Sequence, residues 1–169
     1  MLRRGTMLAV AAVALLPLAG CTAPEPEPEE LTVTGAGARY LDAVCPVNGA
    51  WDSVDVEVER LRIALARSEA GDETALGAAL TTLERRSLAA AENLDDASVS
   101  WPADAEDAIA AVRDSLAADA EQARDVAELS AADAVAHEWE GAERIAATSA
   151  KARASLGLPD DPEVACEAR

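Results

Sequence analysis

"VCPVNGAWDSVDVEVERLRIAL", residues 44–65, decides the fold class. Val44, Val47, Trp51, Val54, Val58, Leu61 and Leu65 recur at alternating steps of three and four, which puts all seven on one face of a helix. No alternation of period two is sustained, and β-branched runs are few, so there is almost no strand signal. Gly71 is a plausible stop for this helix, and Asp72 stands ready to cap the next one. Pro46 suits a first helical turn and disrupts an interior. A short helix over about 36–44 and a main one over about 46–68, joined by a kink, are therefore expected.

The same period marks three further helices. Leu76, Leu80, Leu83, Ala90 and Leu94 form the face of a helix over about 73–95, with Ser87 in the open slot. A third starts at Pro102, with Asp104 and Glu106 in its first turn, where the positive end of the helix dipole favours acids. Its face is Ala105, Ile109, Val112, Leu116, Ala120, Ala123 and Val126. The fourth opens on "SAAD", in which Ser130 can cap and Asp133 can reach back. Its face runs Ala131, Val135, Trp139, Ala142, Ile145, Ser149, Ala152 and Leu156, and Gly157 and Pro159 stop it. Four helices of about 23–28 residues with short loops predict an all-α, antiparallel up-down-up-down four-helix bundle over residues 36–169. Three long helices with the first loosely packed is the competing arrangement. The many alanines let helices approach closely.

Upstream of the bundle the pattern changes. Arg3 and Arg4 precede an apolar run from Met7 to Leu16, too short for the roughly 20 residues that span a membrane as a helix. It reads as the apolar region of a signal peptide. The run ends in Leu18-Ala19-Gly20-Cys21, which resembles a bacterial lipobox. That resemblance implies cleavage after residue 20, a diacylglycerol on the Cys21 thiol and often further acylation of the new amino terminus. Two or three acyl chains anchor a protein stably, where one is marginal. "APEPEPEE", residues 23–30, cannot bury apolar surface, and its prolines favour an extended path. Residues 21–35 are thus expected to be a lipidated cysteine followed by a disordered, acidic, proline-rich tether.

With residues 1–20 removed, twelve basic residues face 32 acidic ones, a net charge of −20. Such a surface repels phosphate backbones and anionic headgroups, so no nucleic-acid partner is expected. Alanine is abundant, phenylalanine absent, and arginine far outnumbers lysine, a bias that resembles proteins of high-GC bacteria.

Cys45 opens the main first helix and Cys166 follows the fourth. In an up-down-up-down bundle those two points share one end, and the compartment outside the membrane permits disulfides, so the two are expected to pair. The same topology gathers Tyr40, Trp51, Leu94, Trp101 and Leu156 near that end.

Chemistry-bearing patterns are sparse. His137 is the sole histidine, and a di-iron site needs two Glu-x-x-His motifs. His137 and Glu140 resemble the His-x-x-Glu pair of imelysin-like helical envelope proteins, which would imply metal contact, with Asp133 able to complete a weak cation site. The glycine usual in that family is Val135 here, and we read the pair as solvated. "TGAGA" at residues 34–38 lacks a preceding strand and reads as linker rather than a phosphate loop. Asp95, Asp96, Asp104, Glu106 and Asp107 cluster around the second loop, in a spacing that matches no EF-hand. No catalytic residue, cofactor or metal ligand is expected.

"YLDAVCPVN" and the late Cys166 resemble the small helical lipoproteins exported by high-GC Gram-positive bacteria. The resemblance implies an anchor, a bundle and a disulfide. The expected function is a non-enzymatic protein-interaction or scaffold module, lipid-anchored on the extracytoplasmic face of the cell membrane, with an unidentified envelope protein as partner. The alternative is a lipoprotein that binds a small ligand or divalent cation, in a cleft near Trp51 and Trp101 or at the carboxylates of residues 95–107.

Overall fold

The computed structural model describes residues 27–169. The expected signal peptide and residues 21–26 of the expected tether, Cys21 among them, lie outside them. The chain forms β1 (Glu29–Glu30), α1 (Val33–Ala66), α2 (Glu73–Leu94), β2 (Val99–Ser100), α3 (Ala103–Ala127), α4 (Ala131–Ala136), α5 (Ala142–Ser155) and α6 (Pro162–Glu167). The fold is all-α. α2 packs against both α1 and α3, α5 against α3, and α1 against α4 and α6. Among the described residues no helix is long and apolar enough to cross a membrane.

The periodic faces became the core. Every apolar face residue of α2 and α3 is buried, and Val47, Val54 and Leu61 of α1 are buried with them. Asp72 caps α2, accepting from the Ala75 N–H at 3.1 Å. Ser130 caps α4 in the same way, and its hydroxyl donates to the Asp133 carboxylate at 2.7 Å.

Three expectations are corrected. First, α1 does not break at Pro46; it is one helix of 34 residues. The carbonyl that loses its N–H donor to the proline ring belongs to Asp42, an exposed residue, so water can replace the bond. Second, residues 29–35 are not free tether. The Glu29 N–H donates to the Ser98 carbonyl at 2.9 Å and the Leu31 N–H to Ser100 at 3.0 Å, pairing β1 with β2 in parallel. Thr32 then caps α1 through the Gly35 N–H, so "TGAGA" is the helix's first turns. Its small residues serve packing: Ala36 is fully buried, and a Cβ on Gly37 would sit 3.3 Å from Leu158 Cδ2.

Third, the fourth helix is broken. α4 stops at Ala136, His137 is extended, and Gly141 takes φ +81° to start α5. The break turns Trp139 onto Trp51, edge to face with ring centroids 4.5 Å apart. Gln122 of α3 replaces hydrogen bonds that the break removes. Its side chain accepts from the Glu140 N–H at 2.8 Å and donates to the Glu140 carbonyl at 3.1 Å.

One end of the molecule is heavily tied. Cys45 and Cys166 are disulfide-bonded, with Cα atoms 5.7 Å apart. Arg39 of α1 reaches the α2–α3 connection, donating to the Asn93 carbonyl at 3.0 Å and pairing with Asp96 at 2.7 Å. Trp101 donates to the Leu94 carbonyl at 3.2 Å, and Tyr40, Leu94 and Leu156 are buried.

Candidate functional site

α5 lies on α3, and a groove of about 340 Å³ separates it from α1. Tyr40, Leu41, Val44 and Asn48 of α1 form one wall, Ala146, Ser149 and Arg153 of α5 the other, and α6 with Cys166 closes an end. Val44, Asn48 and Ser149 also border a smaller inner space of about 90 Å³, whose further walls include Trp51, Ser115, Asp119 and Ile145. The standing-off of α5 is visible in its own face. Ala142 is exposed, and Ile145 and Ser149 are only half-buried, where continuous packing would bury all three.

The groove and the inner space beside it each hold one buried charge. Asp119 follows Leu116 by three residues and precedes Ala123 by four, so it falls on the buried stripe of α3 and is 3% exposed. No side-chain hydrogen bond or ion pair to a described residue engages it. Burial alone pushes its carboxyl up to about 6. Arg153 follows Ser149 by one turn of α5 and is 9% exposed. Its Nε donates to the Asp160 carbonyl at 3.0 Å, and no acidic side chain among the described residues pairs with it. The Tyr40 hydroxyl lies beside Ser149 and Arg153. Burial raises its pKa, and those two neighbours act in the opposite direction.

No family model matches this chain. Nor does any curated protein or solved structure match it. The functional reading therefore rests on the groove and the residues around it.

The residues singled out in the sequence fall in different places. Trp51 lines the inner space, but Trp101 is not beside it; Trp139 is its aromatic partner. His137 and Glu140 do not share a helix, because both lie in the break between α4 and α5. The His137 ring instead packs edge to face on Trp139, with centroids 5.1 Å apart. Of the five acids around the second loop two are engaged by arginine, Asp95 with Arg113 at 2.6 Å and Asp96 with Arg39 at 2.7 Å. Hydrogen bonds from Ser98, then Arg39, hold the Asp96 carboxyl down to about 2. Among the described residues no three His, Cys, Asp or Glu side chains gather as a metal site.

The sequence reading passed over Asp119 and Arg153. Both carried a signal, a charged residue at a core position of an apolar stripe, where charges are rarely buried without a partner. Their convergence on neighbouring spaces had none, because Asp119 and Arg153 are 34 positions apart on different helices.

Proposed function

We propose that the protein is a lipid-anchored extracytoplasmic binding protein that holds a small organic molecule in the groove between α1 and α5 and does not transform it. The observation that carries this reading is the groove itself, concave and walled by apolar side chains with a few convergent polar groups, as ligand sites are. Its anchor rests on Arg3, Arg4, the Met7–Leu16 run and the lipobox-like Leu18–Cys21, all outside the described residues. We read the arrangement as an up-down-up-down bundle with a broken fourth helix, supported by the packing of α1 on α2, α2 on α3 and α3 on α5.

A protein-docking scaffold would offer a contiguous exposed apolar patch. The exposed large apolar residues are instead spread along the molecule: Val33, Val56, Ile63 and Leu65 on α1, Leu88 on α2, Leu129 in a loop and Val164 on α6.

Native mass spectrometry of the protein, extracted gently from its own membrane, tests the proposal. A diacylglycerol-bearing chain starting at Cys21 with a bound small molecule is the expected species. A lipidated chain carrying a protein partner and no small molecule would return the protein to the scaffold reading. A chain without lipid would overturn the anchor.

A further inference from the structure

We infer that the groove is built for a small zwitterion, with an ammonium group against Asp119 in the inner space, an anionic group against Arg153 in the outer part, and an apolar chain between them. The inference deepens the ligand-binding reading and rests on it.

Two observations on different helices carry it. Asp119 and Arg153 are each at least nine-tenths buried, at 3% and 9% exposure. A buried charge is costly unless it is paired. Neither has a partner of opposite sign among the described residues, and they do not pair with each other. Yet they border two neighbouring spaces that share Val44, Asn48 and Ser149 as walls. A single ligand carrying both charges satisfies both at once. A singly charged ligand leaves one of them unpaired.

The walls between the charged ends suit a hydrocarbon chain. Leu41, Val44 and Ala146 are apolar, and the Trp51 ring faces the inner space. Asn48 and Ser149 offer hydrogen bonds at the junction. Arg153 stands one helical turn, roughly 6 Å, beyond Ser149 along α5. A ligand laid along this wall carries its two charges several carbons apart, unlike an α-amino acid. The formal net charge of −18 draws in an ammonium group and opposes a bare anion.

The test uses the lipidated full chain in detergent and four probes: ε-aminocaproate, caproate, hexylammonium and glycine. Thermal melting and tryptophan fluorescence read binding, the latter because Trp51 lines the inner space and touches Trp139. We expect ε-aminocaproate to raise the melting temperature saturably and to bind at least about tenfold tighter than the other three. Asp119→Asn should weaken ε-aminocaproate by about tenfold or more and leave caproate unchanged. Arg153→Lys should weaken ε-aminocaproate while sparing hexylammonium. Should that variant not fold, Asp119→Asn decides alone.

Equal binding of ε-aminocaproate and hexylammonium, or full binding by Asp119→Asn, overturns the zwitterion. If no probe binds while the membrane-extracted protein carries a small molecule, the zwitterion falls and the ligand-binding reading stands. If no probe binds and the extracted protein is empty, both fall, and water in the groove is what solvates the two charges.

Discussion

Asp119 is a carboxylate on a core stripe, and its burial has a pH signature. In the unfolded chain it titrates near its ordinary 3.8; in the folded protein burial raises it to about 6. Between those values the folded state keeps a proton that the unfolded state has released. The contribution of Asp119 is therefore most favourable below about pH 4, declines as pH rises to about 6, and stays at its low value above. The difference amounts to about 3 kcal/mol, at roughly 1.4 kcal/mol per unit. The facing groups from α1 and α5 in the inner space, Asn48, Trp51, Ile145 and Ser149, supply no countercharge. We expect Asp119→Asn to raise stability at neutral pH by about 1–3 kcal/mol and to leave it unchanged near pH 4, as urea unfolding at the two pH values would measure. A variant no more stable at neutral pH would mean that the carboxylate is already satisfied. A sequence shows that an acid sits on a helix's apolar stripe; it does not show whether a neighbouring helix closes over it.

At the scale of the element, helix caps and core faces were readable because they depend on residues three or four apart. Asp72 and Ser130 cap as their positions predict, and the faces of α2 and α3 are buried throughout. Where the reading failed, a distant residue intervened. The stretch from Ala131 to Leu156 has the period of one helix, yet Trp139 finds Trp51 and Gln122 takes over the Glu140 backbone, and the helix breaks. "TGAGA" reads as linker because no strand signal precedes it and no third glycine stands at phosphate-loop spacing. Thr32 caps it, and the approach of Leu158 to Gly37 calls for a small residue. Gly71, in the α1–α2 connection, shows the same dependence. A Cβ there would collide with Leu61 Cδ1, and Leu61 is 2% exposed. Gly71→Ala should therefore destabilise the protein by about 1–3 kcal/mol, an overpacking cost visible as a lower urea midpoint. An unchanged midpoint would mean that Leu61 can turn aside.

At the scale of the molecule, the Cys45–Cys166 disulfide closes a sequence separation of 121 residues. On the chain-entropy account such a closure stabilises by about 4–5 kcal/mol. It also fixes α6 against α1, and α6 closes one end of the groove. Reduction, or a Cys45→Ser and Cys166→Ser double variant, should lower stability by about that amount and change tryptophan fluorescence. Unchanged melting and fluorescence would show that α6 is held without the bond. The β1–β2 pairing and the Arg39 contacts with Asn93 and Asp96 tie the start of α1 to the end of α2 and the connection after it, so the folded part begins at residue 29 rather than at the expected residue 36. In sequence only residues 22–28 separate Cys21 from β1.

By itself the sequence determined the helical class, the positions and inner faces of α2 and α3, and the caps Asp72 and Ser130. These follow from a period of 3.6 residues and from hydrogen bonds that span one turn, both of which a linear chain displays. It also pointed to the pairing of Cys45 with Cys166, because the helix order brings those two points together. Only the tertiary structure decided that α5 stands off α1, that Trp139 rather than Trp101 partners Trp51, and that Asp119 and Arg153 border neighbouring spaces with shared walls. Those outcomes depend on the gap between helices and on which side chains fill it. A repeat of threes and fours says which residues turn inward; it does not say how closely the inward faces meet.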